Sequence, residues 1–196
     1  MILTVLLMLI PLSVGAQPKR AATRDGSRLD LSTNLFDWAD YGTINLDVSI
    51  PVSRHVSLQA GGKYNGWEFP HDKGAVSLTK NQQKSVSAGV RYWPWYVYSG
   101  WWVCGKVQYC DYSECGVWRQ ALDEGKALGA GLSVGYTLML SSRFNIELGG
   151  GFWAGGLLEH ALYDCPCEYC LQHPRQTGPK GFVALNDLNI SVHWLF

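Results

Sequence analysis

Across 196 residues, 16 Lys and Arg balance 16 Asp and Glu, so the formal net charge is zero and composition gives no electrostatic case for nucleic-acid binding. Only 16% of residues are charged, against about 25% in ordinary soluble domains. The 22 glycines, 13% aromatics and scarcity of helix-period segments point to an all-β protein. After the N-terminal segment no uninterrupted apolar run of about 18 residues occurs, which excludes a helical membrane protein.

In chain order, residues 2–10 are apolar apart from Thr4 and lead through Pro11 to Val14, Gly15, Ala16 and Gln17. This is the pattern of a secretory signal peptide over residues 1–16, cleaved after Ala16, although no Lys or Arg precedes the apolar run. The run is too short for comfortable spanning, and position 17 is not Cys, so neither a membrane anchor nor a lipoprotein is expected. Residues 17–28 are polar and read as a flexible periplasmic segment ahead of one domain over residues 29–196.

Eight segments of that domain alternate apolar and polar residues with period 2: residues 29–35, 44–50, 56–65, 86–92, 101–109, 128–138, 144–152 and 188–196. Alternation alone suits a soluble barrel or a membrane barrel, which turn opposite faces inward. The apolar face carries no charged residue in any of the eight segments. A charge facing lipid near the midplane costs about 2–4 kcal/mol, so this purity is the mark of a lipid face. The other face is small and dry, mostly Gly, Ser, Asn and Thr. Aromatics gather at the segment ends, with Trp93, Trp95, Tyr96, Tyr98, Trp101 and Trp102 at one rim and Trp67, Phe69, Tyr109 and Trp153 at the other, as interfacial girdles would.

The expected fold is therefore an eight-stranded antiparallel up-and-down transmembrane β-barrel with a plugged interior, placed in a bacterial outer membrane. Short periplasmic turns are expected at 52–55, 93–99 and 141–143, and longer external loops at 36–42, 68–83, 111–125 and 160–180. The last strand ends on Trp194 and Phe196, which read as a membrane-insertion signal. Outer-membrane lipid and the barrel-assembly machinery are then partners, with a surface or pilus-associated protein as a further one.

Inside such a barrel, Asp30, Asp47 and Glu147 would face Lys63, Arg91 and Lys106 as an ion-pair network that seals the lumen. A narrow gated ion path through the same residues is the rival reading. The glycine clusters at 149–151 and 155–156 are not followed by Lys-Ser or Lys-Thr and open no helix, so they mark tight packing, not a phosphate loop.

Six cysteines are many for this class. Cys104 and Cys110 lie on one strand roughly 20 Å apart and cannot bridge each other. Cys115 is expected in the third external loop, and Cys165, Cys167 and Cys170 in the fourth, between His160 and His173. Export through an oxidising compartment favours disulfides across the external loops, and six cysteines allow fifteen connectivities. The alternative is a surface metal site in which Cys165, Cys167, Cys170 and His173 supply four soft ligands suited to zinc or copper. No cofactor is expected. A rim-sited hydrolase would have to use His71 with Asp72, or His160 with Asp164, but neither pair comes with a recognisable nucleophile.

Several motifs stand in order along the chain: Thr33-Asn34-Leu35, the GKYNGWEF stretch at 62–69, Arg91-Tyr92-Trp93, GAGLSVGY at 129–136, RFNIE at 143–147, Gly178-Pro179-Lys180 and the closing Trp194-Leu195-Phe196. With the Cys-rich fourth loop they make the chain, from about Leu31 to Phe196, resemble the domain of unknown function 3575 family, outer-membrane barrel proteins best represented in Bacteroidetes. The resemblance implies a barrel and an outer-membrane address, and brings no catalytic or ligand residues with it. Ser191 stands where many closing strands of the family have Gly. Cys104, Cys110 and Cys115 are additions to the family's pattern, so the third loop has scope for its own crosslink. The expected role is structural or in surface interaction, with a metal or small-ligand receptor on the fourth loop and the rim hydrolase as alternatives.

Overall fold

The computed structural model of the protein describes residues 29–70, 78–115, 121–164 and 174–196. The expected signal peptide, the segment 17–28, His71 and Asp72, and Cys165, Cys167, Cys170 and His173 lie outside the described residues. Eight strands form one closed antiparallel ring: β1 (Asp30–Asn34), β2 (Ile44–Pro51), β3 (Val56–Pro70), β4 (Leu78–Tyr92), β5 (Gly100–Cys115), β6 (Leu122–Met139), β7 (Phe144–Tyr163) and β9 (Lys180–Leu195). Each pairs with its neighbour along the chain, and β9 returns to β1 through five residue pairs from Asp30↔Leu195 to Asn34↔Ser191. A two-residue strand, β8 (Gln176–Thr177), adds to the far end of β7. The eight-stranded all-β barrel read from alternation is the observed one.

The two faces of the wall are inverted relative to a water-soluble protein. Outward side chains are apolar and exposed, with Leu132 at 69% and Phe152 at 63%, whereas the inward Asp30, Ser57 and Glu147 are 0% exposed. The parity predicted for each strand core is observed: Leu58, Val86, Val107, Leu128 and Ile190 all lie on the exposed side.

Six strands run well past the alternating segments. The chain between β3 and β4, β5 and β6, and β7 and β9 continues as paired strands of 15 to 20 residues, so much of the expected loops at 68–83, 111–125 and 160–180 is hairpin. Period 2 does not announce them because stretches such as KNQQKS at 80–85 are polar on both faces, and because in β6, β7 and β9 the register slips twice, between Lys126 and Ala127 on β6 and between Gly149 and Gly151 on β7. The second slip moves the outward set of β9 from Ile190 and Leu188 to Leu185 and Val183, and a slip of one residue reverses the faces. The connection between β1 and β2, expected as an external loop, also differs: it holds a short helix, α1 (Leu35–Ala39), whose N-cap Asn34 accepts a hydrogen bond from the Phe36 N–H.

The aromatic girdle needs a larger correction. Trp93, Tyr98 and Trp102 do not face outward but form, with Cys104 and Leu195, a buried cluster across one end of the lumen. Trp95, Tyr96, Trp101, Phe144, Trp194 and Phe196 remain exposed around that end. At the other end Trp67 is exposed, Tyr109 is half-buried, Trp153 points inward, and the Phe69 side chain lies outside the described ones. The 93–99 turn folds into the barrel mouth because Tyr98 and Gly100 take left-handed backbone conformations, with φ 65° and 71°. It is clamped there by Trp93 N–H to His55 O at 2.8 Å and Val97 N–H to Arg54 O at 3.0 Å. Inside, Trp93 Nε1 donates to Ser57 Oγ at 3.1 Å and the Tyr98 hydroxyl donates to Ser49 O at 3.1 Å. The Trp102 indole lies against Gly135 and Gly149, where any side chain would collide with it.

Candidate functional site in the lumen

Directly on this aromatic floor sits a buried polar cluster drawn from five strands. Arg91 of β4 donates through Nη1 to both oxygens of Glu147 of β7, at 2.8 and 3.1 Å. The same carboxylate accepts from Thr137 Oγ1 of β6 at 2.9 Å and from Asn189 Nδ2 of β9 at 3.0 Å. His193 of β9 lies between two acids, with Nδ1 2.8 Å from Asp30 Oδ2 and Nε2 3.5 Å from Glu147 Oε2. Ser191 Oγ stands 2.7 Å from His193 Nε2. With His193 as imidazolium the cluster carries two positive and two negative charges. Every charge has a charged partner, which is the condition for burying charges without a cost of several kcal/mol each.

Ser191, His193 and Asp30 also stand in the order nucleophile, base and orienting acid. Geometry alone would permit nucleophilic chemistry. Burial argues against it: the three residues are 3%, 3% and 0% exposed, and Glu147 competes with Ser191 for the same ring nitrogen. The sequence held half of this signal, since Ser191 and His193 share one face of a strand. The other half, Asp30, became adjacent only when β9 closed on β1.

Of the six lumen charges read from the sequence, Arg91 and Glu147 pair with each other. Asp30 pairs with His193, and Lys63 Nζ reaches Asp37 of α1 at 2.8 Å, a residue assigned by the sequence to an external loop. Asp47 accepts from Gln59 Nε2 at 3.3 Å. Lys106 lines the same wall as Gly89 and Gly131, its register partners. In this outer half of the lumen Asp47, Gln59, Lys106, Trp153 and Phe182 are only half-buried, unlike the floor. Trp153 and Phe182 meet edge to face with ring centres 4.5 Å apart. The interior is thus packed at one end and looser at the other.

Cys104 and Cys110 face the lumen on β5 and do not bridge each other, while Cys115 is the last residue of β5, not part of a loop. All three are buried, and no disulfide forms among the described residues. Gln83 Nε2 donates to Cys110 Sγ at 3.5 Å. The four expected metal ligands lie outside the described residues. The rim pair His160 and Asp164 is not assembled: His160 Nε2 lies 3.3 Å from Asp123 Oδ1, and Asp164 lies 3.2 Å from Arg175 Nη1. Both lie on the same extended stretch at the end of β7, where four residues put them roughly 13 Å apart, so nearness in sequence did not become contact.

Comparison with curated proteins finds no match, and neither does comparison with solved structures. The family described as "Protein of unknown function (DUF3575)" matches residues 2–196, virtually the whole chain. The chain belongs to the DUF3575 family.

Proposed function

We propose that this protein is a small transmembrane barrel of the bacterial outer membrane, closed at its periplasmic end, whose role is structural or in surface interaction and not catalytic. The observation that carries this reading is the inversion of polarity, an exposed apolar belt around a buried polar lumen. Water would penalise that belt at about 25 cal/mol per Å² of apolar surface, whereas lipid does not. The belt has the right height. From Trp101 to Tyr109 on β5, eight steps of about 3.3 Å at a tilt of about 40° rise roughly 20 Å, against an apolar band of about 25 Å in such barrels.

The aromatic floor and the Arg91–Glu147–His193–Asp30 cluster then act as the seal. Phe196, exposed and stacked on Trp194 at 5.2 Å, lies where an insertion signal for the assembly machinery would be read. The 20 residues of β7 rise about 50 Å at the same tilt, so the hairpins project roughly 25 Å beyond the band as the surface a partner would meet. Disulfides among the loop cysteines would brace that surface.

Refolding into phosphatidylcholine liposomes tests the reading. A protease-protected core, heat-sensitive gel migration and no steady conductance in planar bilayers are expected. A chain that stays monomeric in buffer without detergent would overturn the membrane assignment, and steady channels would overturn the seal.

A further inference from the structure

On the outer wall, Gly62 of β3 faces outward between Leu46 of β2 and Val86 of β4, its register partners. A Cβ built at Gly62 would meet only Ser85 O, at 3.6 Å, so no side chain covers this point of the wall. Tyr64, the next outward residue of β3, is turned away from it. Its ring lies over Gly66, where an added Cβ would stand 2.7 Å from the hydroxyl. A groove results on the lipid-facing surface. Gly62 is its floor, and Ile44, Leu46 and Val86, each half or more exposed, are its sides.

The upper end of this groove is charged. Lys84 lines it, and is the first charged residue on the outward face of β4 after Tyr92, Val90, Ala88 and Val86. From Tyr92 to Lys84 the strand rises roughly 20 Å at a tilt of about 40°, so the ammonium stands at the edge of the apolar band, where lipid heads begin. Asp111 of β5 is the register partner of Lys84, and both side chains are exposed. Lys126, on the far side of Asp111, is held by Glu159. Tyr109, paired with Val86, bounds the groove below Asp111.

We propose that this groove binds a phosphoethanolamine-headed lipid of the outer leaflet. One hydrocarbon chain lies over Gly62 between Leu46 and Val86, the phosphate meets Lys84, and the primary ammonium meets Asp111. Charge complementarity selects this occupant. Side chains paired across adjacent strands stand about 5 Å apart at Cβ, which suits a head whose phosphate and ammonium are joined by two carbons. An anionic head without the ammonium would bring a second negative charge beside Asp111. A trimethylammonium head has the same charges but no N–H, so it forgoes the charge-assisted hydrogen bond to the carboxylate. The proposal rests on the membrane assignment above.

The test is native mass spectrometry of protein inserted into liposomes of phosphatidylethanolamine, phosphatidylcholine and phosphatidylglycerol in equal parts, with identical chains. Insertion is checked first by protease protection. One phosphatidylethanolamine per barrel is expected, retained about tenfold over either competitor, the scale of one charge-assisted hydrogen bond. Asp111→Asn should move the preference to phosphatidylglycerol, because Lys84 then acts without an opposing carboxylate beside it. Lys84→Gln should abolish selective retention. Gly62→Leu should fill the groove and release all three lipids. Gly156→Leu, at an outward glycine of β7 with nothing within 4 Å, should change nothing. If Gly62→Leu does not insert, Asp111→Asn decides alone, since it removes no contact of the wall. Retention in the proportions of the bulk lipid, or a phosphatidylethanolamine preference that survives Asp111→Asn, would overturn the site while leaving the barrel assignment intact. Failure of the unaltered protein to insert would overturn that assignment, and the site with it.

Discussion

The guanidinium of Arg91 lies 4.4 Å above the ring of Trp102 while its Nη1 holds Glu147. One side chain thus joins the aromatic floor to the polar cluster. The arrangement explains why a tryptophan faces the lumen of a barrel whose other tryptophans largely face outward. Its flat ring covers Gly135 and Gly149 on one side and presents its π-face to a buried cation on the other.

Removing either member of the Arg91–Glu147 pair strands the other in a dry interior. Arg91→Leu or Glu147→Leu alone should each cost about 3–5 kcal/mol, read as a lower urea midpoint in lipid or detergent. The double variant should recover part of this, because the uncompensated charge disappears. Costs that simply add would contradict the coupling.

How much of this could be read beforehand is a matter of parity. Wherever a strand keeps strict period 2, as in 44–50 or 128–138, facing residues were assigned to the correct side, and the barrel followed from counting. The sequence becomes opaque where the backbone leaves that period. Left-handed Tyr98 and Gly100 turn Tyr98 into the mouth, while the bulge near Gly150 hides the upper half of β9; Trp93, by contrast, keeps the inward parity of Arg91. The pairing of Asp30 with His193 spans almost the whole chain, and no local pattern encodes it; only closure of the ring brings it about.

The Ser191–His193–Asp30 constellation makes its own prediction. If it is structural, a fluorophosphonate probe should leave Ser191 unmodified in the folded protein, and Ser191→Ala should fold with little loss of stability. His193→Ala should be far more damaging, since Asp30 and Glu147 both lose a partner. Stoichiometric phosphonylation of Ser191 under native conditions would sink the structural reading.

The glycines of β6 and β7 separate into those that the packing requires and those it does not. A Cβ at Gly135 would stand 2.3 Å from Trp102 Cζ2 and 2.5 Å from Leu148 O, so neither a side-chain nor a backbone shift relieves it cheaply. Gly135→Ala should therefore cost about 1–3 kcal/mol. At Gly156 nothing lies within 4 Å of the added carbon. Gly156→Ala should be neutral or slightly stabilising, because it narrows the unfolded ensemble. Equal effects at the two positions in urea titrations would count against the floor as described.

Beyond the apolar band, Glu114 on β5 is paired in register with Asn81 and Asp123. Partial loss of water around this still exposed side chain first, and then the charges of Asp40 and Asp123, raise its carboxyl above the ordinary value of 4.5. The folded state consequently holds this proton more tightly than the unfolded chain does. The contribution to stability is complete below 4.5 and is lost as pH rises through the raised folded value, so at neutral pH the ionised carboxylate opposes folding. Glu114→Gln should raise the unfolding midpoint near pH 7 and bring no advantage near pH 4. Added salt should shrink the neutral-pH difference in part, since it screens repulsion from Asp40 and Asp123 but leaves the partial desolvation unchanged. Unfolding curves of the two proteins that differ by the same amount at both pH values would show that the charge of Glu114 is not the cause.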